Sequence, residues 1–481
     1  MNNDSKKQIL KATSIIGGGQ FLTIITGIIR TKVVAILLGP YGIGIAGMLQ
    51  SILDIVRNLT GFGLNYSAVK FVAEADQIDN QTKINETISV LKKLALITGF
   101  IGMILMCFFS SKLSLLTFGN LNYRNQILFL SIILLFTSIS GGQMALLQGK
   151  RELKKMSKAS IYGAISTSIV SILVYFSYGI KGVVPVFLIS SLIPLFFSWY
   201  YSRNIQFLQI RIPITEVLTK GYEMAKLGFF IVVTGFMSTL TLYIVRSIIS
   251  SKLNIDSVGF FQASWMITTT YIGIILNSML ADFFPRLSAV NQDNFESNKL
   301  INEQLEIALL LGTPMIIGLM AFSPLIIQIL YSNSFLMTVP LLQWQLYGSF
   351  ITLIMWPIGV MFLSKNKGIY SILTDGVWSF SYLLIVYIGW QYFNFIILGI
   401  AFLIASLFKL FFVVLASKKI GKFYFNEINK KIIFQFFLIT TIMLLNVRLL
   451  HNLNQYIITI TLLIVIIYIS FSKLKLLYSN K

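Results

Sequence analysis

The chain has 481 residues, of which 56% are hydrophobic and only 11% are charged, and its mean hydropathy is +0.81. Soluble domains carry about 25% charged residues, so this composition excludes a water-soluble globular protein and requires a lipid bilayer as solvent. The formal net charge of +21 does not indicate nucleic-acid binding, because the basic residues lie in short loops between apolar segments and not on one soluble face.

Apolar segments of about 17–25 residues, each long enough for a helix to cross the bilayer, recur along the whole chain, and we count roughly fourteen of them. The first two are expected at 12–38 and 42–69, joined by a turn at Gly39-Pro40. The pattern predicts an all-α membrane protein with two pseudo-symmetric six-helix lobes around a central cavity and two further C-terminal helices. The predicted divisions are an N-terminal lobe at 1–205, a cytoplasmic linker at 206–220, a C-terminal lobe at 221–417 and two additional helices at 418–481.

A weak internal repeat supports the two lobes. Ile29-Arg30 followed by residues 41–44 (YGIG) recurs as Val245-Arg246 followed by residues 257–260 (SVGF). Each copy predicts a long helix with a cationic residue, a tight turn and a second long helix.

The distribution of Lys and Arg predicts the orientation in the membrane. Roughly 28 lie in loops on the side of the N-terminus, roughly 5 on the other side and roughly 5 within helices, which is a strong positive-inside bias. The sequence therefore predicts a multi-pass protein with both termini in the cytoplasm.

Charged side chains inside apolar segments are expensive and are functional candidates by default. Arg57 lies about 22 Å from the outer end of the second predicted helix, too deep for its side chain to reach the interface easily. Asp54 precedes it by three positions and shares its helical face. Two interpretations remain open: a structural ion pair buried between helices, or a polar site facing a hydrated cavity.

Arg30, Lys32 and Arg246 are further candidates for a cationic cavity. Arg30 and Lys32 lie about 11–14 Å below the predicted outer turn, so their side chains could also reach the interface. Arg246 occupies the corresponding place in the second repeat, and both alternatives stay open for it as well. Asp282 and Lys409, nearer the ends of their helices, are weaker candidates for ion coupling or for structural charges.

The sequence indicates no metal site and no nucleotide site. Cys107 and His451 are the single cysteine and the single histidine, too few for the usual zinc ligands. Residues 42–47 (GIGIAG) fit a dinucleotide fingerprint formally, but the required preceding strand and following acidic residue are lacking, and no segment supplies the Lys-Ser/Thr of a phosphate-binding loop. We expect no cofactor. The glycines, Gly61 and Gly63 among them, are interpreted as sites of helix bending or close helix contact.

Five segments resemble Wzx-type polysaccharide flippases of the O-antigen and enterobacterial common antigen translocase branch. They are residues 38–46 (LGPYGIGIA), 59–65 (LTGFGLN), 69–74 (VKFVAE), 284–288 (FPRLS) and 344–348 (WQLYG). The resemblance covers nearly all twelve core helices of that family, and the first segment is more specific than the later ones.

The resemblance implies the fold of the multidrug/oligosaccharidyl-lipid/polysaccharide exporter superfamily and a transporter, not an enzyme. Members of this family move undecaprenyl-pyrophosphate-linked glycans from the cytoplasmic to the periplasmic leaflet of the bacterial inner membrane by alternating access. The implied substrate-binding cations are Arg57, Arg30, Lys32 and Arg246. The implied partners are the lipid-linked oligosaccharide, membrane lipids, a polysaccharide polymerase and a chain-length regulator, and a proton or sodium gradient is a candidate driving force.

Two alternatives remain. Multidrug efflux shares the architecture but favours cationic cargo, which a cavity rich in arginine disfavours. A membrane glycosyltransferase or polysaccharide polymerase normally needs a sizeable outer loop or an acidic catalytic cluster, whereas the predicted outer loops are no longer than about fifteen residues.

Overall fold

The computed structural model describes residues 3–77, 81–205, 208, 210–449 and 453–479. His451 and positions 206, 207 and 209 of the predicted linker lie outside the described residues. Within those ranges the protein is built from α-helices joined by short turns and three short 3₁₀ segments, and no β-strand occurs there. The all-α fold expected from the composition is therefore confirmed.

In the described parts of the chain the helices follow one another in sixteen segments. They are α1 Asn3–Thr60, α2 Leu64–Gln77, α3 Gln81–Phe118, α4 Arg124–Leu130, α5 Ile132–Gly149, α6 Leu153–Tyr178, α7 Val183–Ser202, α8 Ile214–Lys252, α9 Ile255–Ala289, α10 Asn294–Ala321, α11 Ser323–Leu330, α12 Val339–Ser364, α13 Ile369–Phe393, α14 Ile397–Gly421, α15 Glu427–Leu449 and α16 Leu453–Ser479.

Eleven helical segments in the described parts of the chain are long and apolar enough to cross a membrane. The three longest are Leu22–Thr60, Leu153–Ser202 and Ile369–Gly421, with 39, 50 and 53 residues, which is about twice the roughly 20 residues that a single crossing needs, or more. The last two each contain two helices in succession, α6 with α7 and α13 with α14. The protein is thus a multi-pass membrane protein, and the number of fourteen crossings stays a prediction.

Helix α1 is interrupted at the turn that the sequence predicts. Gly39 has φ 62° and ψ −170°, outside the helical range, and Pro40 follows it directly. Glycine adopts positive φ without a steric penalty, and proline fits the first turn of a helix because its missing N–H has no partner there anyway. The second part of α1 ends at Thr60, earlier than the predicted position 69, since a second turn lies at 61–63.

The chain divides into two compact units, residues 1–259 and 260–481. In the first unit α1 packs against α6 and α8, α5 packs against α3 and α7, and α2 contacts α5. A core of aliphatic side chains lies at the centre of these contacts and includes Leu49, Ile52 and Leu53 of α1 with Leu130 and Leu134.

In the second unit α12 is the central helix and packs against α14 and α10. Its side chains Phe350 and Phe362 are fully buried. Helices α15 and α16, which end the chain, pack on α10. Each unit therefore has its own hydrophobic core.

Candidate functional site

A cavity of about 200 Å³ lies inside the first unit, where the end of α1 meets α3, α5 and α8. We call it the Arg57 cavity. Its polar lining consists of Arg57, Asn58, Thr60, Thr98, Thr137 and Ser138. The remaining lining residues are glycines and aliphatic residues, so the cavity is a small polar space within an otherwise apolar bundle.

The local fold at the cavity is a broken helix. After Thr60, residues Phe62 and Gly63 have φ of 46° and 68°, and the chain turns into α2. The backbone of Gly63 packs on α8, where a β-carbon on Gly63 would lie 3.1 Å from the α-carbon of Gly228. Broken helices within membrane proteins occur where irregular backbone is buried in protein or lines a cavity, and this break lies at the cavity wall.

Arg57 lies in the last turn of α1 and is held by an acidic neighbour. Its Nη2 donates to Oδ1 of Asp54 at 2.7 Å, and Nε2 of Gln50 donates to the same oxygen at 2.9 Å. The side chain of Arg57 is 52% exposed and that of Asp54 is 27% exposed. An exposed ion pair contributes little stability, and a guanidinium has five N–H donors. The pair therefore orients Arg57 at the cavity while most of its donors stay available to an anion.

Two hydrogen bonds between side chains connect this part of α1 to α8. Nδ2 of Asn58 donates to Oγ1 of Thr239 at 2.8 Å. Arg246, fewer than about two helical turns from the end of α8, is only 8% exposed, and its Nη1 donates to Oγ of Ser51 at 2.7 Å. Arg246 is thus buried in the contact between α1 and α8.

Arg30 lines a different cavity in the same unit. This cavity of about 490 Å³ lies between α1, α5, α6 and α7, and its lining shares no residue with that of the Arg57 cavity. Around Arg30 it presents hydroxyl groups, those of Ser140, Ser160 and Ser190 among them, and its lining contains no carboxylate. Lys32 is half-buried and lines neither of the two cavities.

The two weaker candidates lie in the second unit and both form ion pairs. Asp282 is 73% exposed and accepts from Nη1 of Arg286 at 3.1 Å, one turn along α9. Lys409 of α14 donates to Oδ1 of Asp375 on α13 at 2.5 Å, with both side chains only 23% exposed. Neither contacts the Arg57 cavity.

The structure thus brings together Arg57 and Asp54 at one cavity, places Arg246 on the same pair of helices, and separates Arg30 into another cavity. Sequence reasoning did not single out Asn58 or the hydroxyl residues of the lining. Charge inside an apolar segment is a visible signal, whereas Ser and Thr are common in membrane helices and nothing in one sequence tells which of them share a cavity. Within the described parts of the chain, no group of His, Cys, Asp and Glu could hold a metal ion.

Comparison with known proteins gives consistent matches. The family described as polysaccharide biosynthesis protein matches residues 33–340. The lipid III flippase of Escherichia coli (strain K12) is 22% identical over 390 residues, which cover 79% of this chain and 91% of that protein.

Among solved structures, the lipid II flippase MurJ in an inward closed conformation matches with a TM-score of 0.70 at 17% identity, covering 95% of this chain and 99% of that one. An inward-facing multidrug resistance MATE family transporter of the MOP superfamily also matches with a TM-score of 0.70, at 15% identity, covering 83% and 96%. At such identities the likeness shows the fold alone, and the fold agrees with the one that the sequence resemblance implies.

Proposed function

The chain belongs to the polysaccharide biosynthesis protein family, and from this premise we propose that it is a flippase that moves a lipid-linked oligosaccharide across the membrane. The specific cargo proposed is an undecaprenyl-pyrophosphate-linked glycan repeat unit such as an O-antigen unit, carried by alternating access from the cytoplasmic to the outer leaflet. We assign transport and not catalysis, because a relative of this chain carries the name of a flippase.

The observation that carries this proposal is the position of Arg57. A diphosphate and a hydroxyl-rich glycan cannot cross hydrocarbon unaided, since each unpaired polar group costs several kcal/mol, about 4–8 for a single amide or hydroxyl in a medium that cannot form hydrogen bonds. Arg57 presents a half-exposed guanidinium at a polar cavity within an apolar bundle. Charge-assisted, bidentate hydrogen bonds from Arg replace the lost hydration of a phosphate.

Arg30, Lys32 and Arg246 remain proposed members of the substrate path. Arg30 has its own hydroxyl-lined cavity, which supports contact with a polar ligand. Arg246 is buried against Ser51, so its contribution would be to the electrostatic field and to the joint of α1 with α8. The domain divisions predicted from sequence, with six-helix lobes at 1–205 and 221–417, also stay part of the proposal.

The proposed function also includes an orientation in the membrane and an energy source for transport. We propose the bacterial inner membrane with both termini in the cytoplasm, from the positive-inside bias. Coupling to a proton or sodium gradient is proposed at Asp54, because ion uptake by this carboxylate would change its contact with Arg57 directly. Asp282 and Lys409 are held by other ion pairs and would act elsewhere in the cycle. Collapse of each gradient in turn, with transport followed in vesicles, tests the coupling.

The proposed function is tested with the purified chain in liposomes. A fluorescent undecaprenyl-diphosphate-linked glycan is supplied in both leaflets, and dithionite added outside quenches the fluorophores of the outer leaflet, so transfer from the inner leaflet is followed as further loss of fluorescence. Liposomes with the wild-type protein should equilibrate the lipid faster than empty liposomes. Arg57→Gln should reduce the rate of transfer at least about tenfold. Arg57→Lys should reduce that rate less than Arg57→Gln does if charge alone matters. No acceleration by the wild-type protein would contradict the proposed function.

Lys70→Gln is the matched control. Lys70 on α2 also forms an exposed pair, with Glu74 one turn away at 3.7 Å, and its side chain is 58% exposed, close to that of Arg57. It does not line the Arg57 cavity. The control variant should transport as wild type does, and equal losses in the two variants would assign the effect of Arg57 to general charge removal.

Multidrug efflux is the second candidate, and the likeness to a MATE transporter fold favours it. A guanidinium at the cavity repels the cationic compounds that such a transporter would carry. Drug sensitivity of a deletion strain, measured beside its surface glycan, separates the two functions.

A further inference from the structure

The hydroxyl groups around the Arg57 cavity all direct their hydrogen atoms into the protein. Thr60 and Thr137 donate to the carbonyl oxygens four residues earlier in their own helices, at 2.9 and 2.8 Å. Ser138 donates across to the carbonyl oxygen of Ala95 at 2.7 Å. Thr98 Oγ1 lies 2.9 Å from the carbonyl oxygen four residues earlier and 2.9 Å from Oγ of Ser138.

This pattern fixes what the cavity offers to a ligand. A hydroxyl group has one hydrogen to donate and two lone pairs that accept. Because the hydrogens of these four groups are used within the protein, the oxygens that line the cavity are available as acceptors. The hydroxyl-lined part of the cavity therefore favours a ligand rich in O–H or N–H donors, and Asn58, the other neutral polar residue of the lining, directs Nδ2 to Oγ1 of Thr239.

Arg57 gives its own part of the cavity lining the opposite polarity. Its guanidinium is a donor with a full positive charge, its side chain is 52% exposed, and it is the one charged residue of the lining. A phosphate group fits beside Arg57 but not among the acceptor oxygens of the hydroxyl groups, because two acceptors cannot form a hydrogen bond with each other. A ligand that fills both parts has a phosphate at one end and hydroxyl donors directly next to it.

The size of the cavity limits how much of such a ligand can enter. Sites for drug-sized molecules measure about 300–1,000 Å³, whereas this cavity measures about 200 Å³. A single sugar ring is smaller than a drug-sized molecule and an oligosaccharide is larger. The cavity thus has room for one ring, with the rest of a glycan left outside it.

We propose that the Arg57 cavity is a subsite for one sugar, the ring that is bonded to the diphosphate of the lipid carrier. The inference rests on the proposed flippase function and adds a substrate contact to it: the diphosphate binds at Arg57, and the hydroxyl groups of the first ring donate to Thr60, Thr98, Thr137 and Ser138. The protein then selects its cargo by this ring, and the distal sugars make no contact with this subsite.

Gly235 of α8 allows the subsite to be filled without disturbing its walls. It lines the cavity, and a β-carbon added to it would meet no atom within 4 Å. Leucine is a better helix former than glycine, so Gly235→Leu should fold normally while its side chain occupies the space proposed for the ring. Gly359→Leu on α12 is the matched control, since its β-carbon also meets no atom within 4 Å and it lines neither cavity.

The test measures binding of defined lipids to the purified full chain by native mass spectrometry. The probes are undecaprenyl diphosphate without sugar, and the same lipid carrying N-acetylglucosamine, glucose or galactose. In the wild-type protein at least one glycosylated lipid should bind tighter than the bare diphosphate. Gly235→Leu should weaken that binding at least about tenfold, to the level of the bare lipid, and should leave the bare lipid itself unchanged, whereas Gly359→Leu should change neither.

A smaller change tests the acceptor role directly. Thr137→Val keeps the shape of the side chain and removes one acceptor oxygen, and it should weaken the preferred glycosylated lipid about three- to tenfold without affecting the bare diphosphate. Thr352→Val is the control, because Thr352 of α12 also donates to its own helix, at 3.3 Å, and lies outside the cavity lining.

The outcomes separate the subsite from the function on which it rests. If the wild-type protein binds the bare diphosphate and no sugar adds affinity, the subsite is wrong and the flippase proposal stands. The subsite is equally wrong if Gly235→Leu weakens both kinds of lipid to the same extent. If the wild-type protein binds none of the lipids, the proposed function fails and the subsite with it.

Discussion

Gly44 of α1 packs directly on Gly259 of α9. A β-carbon on Gly44 would lie 3.1 Å from the amide nitrogen of Gly259 and would overlap the carbonyl oxygen of Ile255, while a β-carbon on Gly259 would overlap the carbonyl oxygen of Pro40. Each glycine faces the carbonyl four residues before the other, the reciprocal pattern of a two-fold related contact. The two copies of the sequence repeat thus meet here, one residue away from the register read from sequence, which aligned Ile43 with Gly259.

This contact predicts that neither glycine tolerates a side chain. Gly44→Ala forces the backbones apart, and overpacking of this kind costs about 1–3 kcal/mol. Thermal unfolding of the detergent-purified protein, followed by intrinsic fluorescence, should begin several degrees below the wild type, and Gly259→Ala should act in the same way.

Gly359→Ala provides the control for that experiment. Its β-carbon meets no atom within 4 Å, and alanine is favoured over glycine inside a helix by about 1 kcal/mol. Its unfolding temperature should equal or exceed that of the wild type. If Gly44→Ala unfolds at the same temperature as this control, the close backbone contact does not exist in the membrane protein.

The buried bond of Arg246 predicts a second effect on stability. Its Nη1 donates to Oγ of Ser51 at 2.7 Å, and hydrogen bonds to charged groups contribute about 1.5–3 kcal/mol. Ser51→Ala removes this acceptor from an arginine that is only 8% exposed, so the unfolding temperature should fall. Ser247 is the adjacent control: its Oγ is buried and lacks a hydrogen-bond partner among the described residues, so Ser247→Ala should be neutral or stabilising. Equal unfolding temperatures for Ser51→Ala and the wild type would show that this hydrogen bond does not stabilise the contact between α1 and α8.

The sequence is informative wherever the backbone conformation or the charge of a single residue has a cost in free energy. Positive φ favours glycine, and the turns at Gly39 and at Gly63 lie where glycines interrupt an apolar segment. A charge within an apolar segment is expensive, so the sequence alone indicates Arg57 and Arg30 as candidates, and the structure places each of them at a cavity. The all-α fold follows from the same local signals, whereas the number of fourteen crossings stays a prediction.

What the sequence could not supply is the rotation and register of helices against one another. Arg30 and Arg57 were assigned to one cationic cavity, but they line separate cavities, because the direction of a side chain depends on how its helix is rotated in the bundle. Lys409 was recognised and Asp375 was not, since their contact at 2.5 Å depends on the register between α13 and α14. The repeat copies, likewise, meet through backbone atoms that leave no pattern in the sequence.

The pair of Asp375 and Lys409 predicts strong coupling between two substitutions. Both side chains are only 23% exposed, and removal of one partner leaves the other charge buried and uncompensated. Asp375→Asn and Lys409→Met should therefore each destabilise the protein, and the double variant should be destabilised by less than the sum of the two single effects, with a coupling energy of about 0.5–3 kcal/mol in a double-mutant cycle. The measurement is thermal unfolding of the single and double variants.

The exposed pair of Lys70 and Glu74 is the reference for that cycle. Both side chains are more than half exposed, and such pairs contribute about 0–1 kcal/mol, so Lys70→Met and Glu74→Gln should be additive. Additivity at Asp375 and Lys409 as well would show that their contact carries no coupling.

The hydrogen bonds of Asn302 on α10 predict that this side chain protects the connection between α14 and α15 from proteolysis. Its Nδ2 donates to the carbonyl oxygen of Tyr424 at 3.0 Å, and its Oδ1 accepts from the amide nitrogen of Asn426 at 3.0 Å. Asn302→Leu leaves these two backbone groups without their partner, at about 1–3 kcal/mol each if they stay buried, so the connection should open and trypsin should cleave after the exposed Lys422 faster than in the wild type. Cleavage after Lys367, which is also exposed and lies in a connection that Asn302 does not bond to, is the internal reference. A ratio of the two cleavage rates that stays at the wild-type value, measured by mass spectrometry of the fragments, would show that Asn302 does not hold the last two helices on α10.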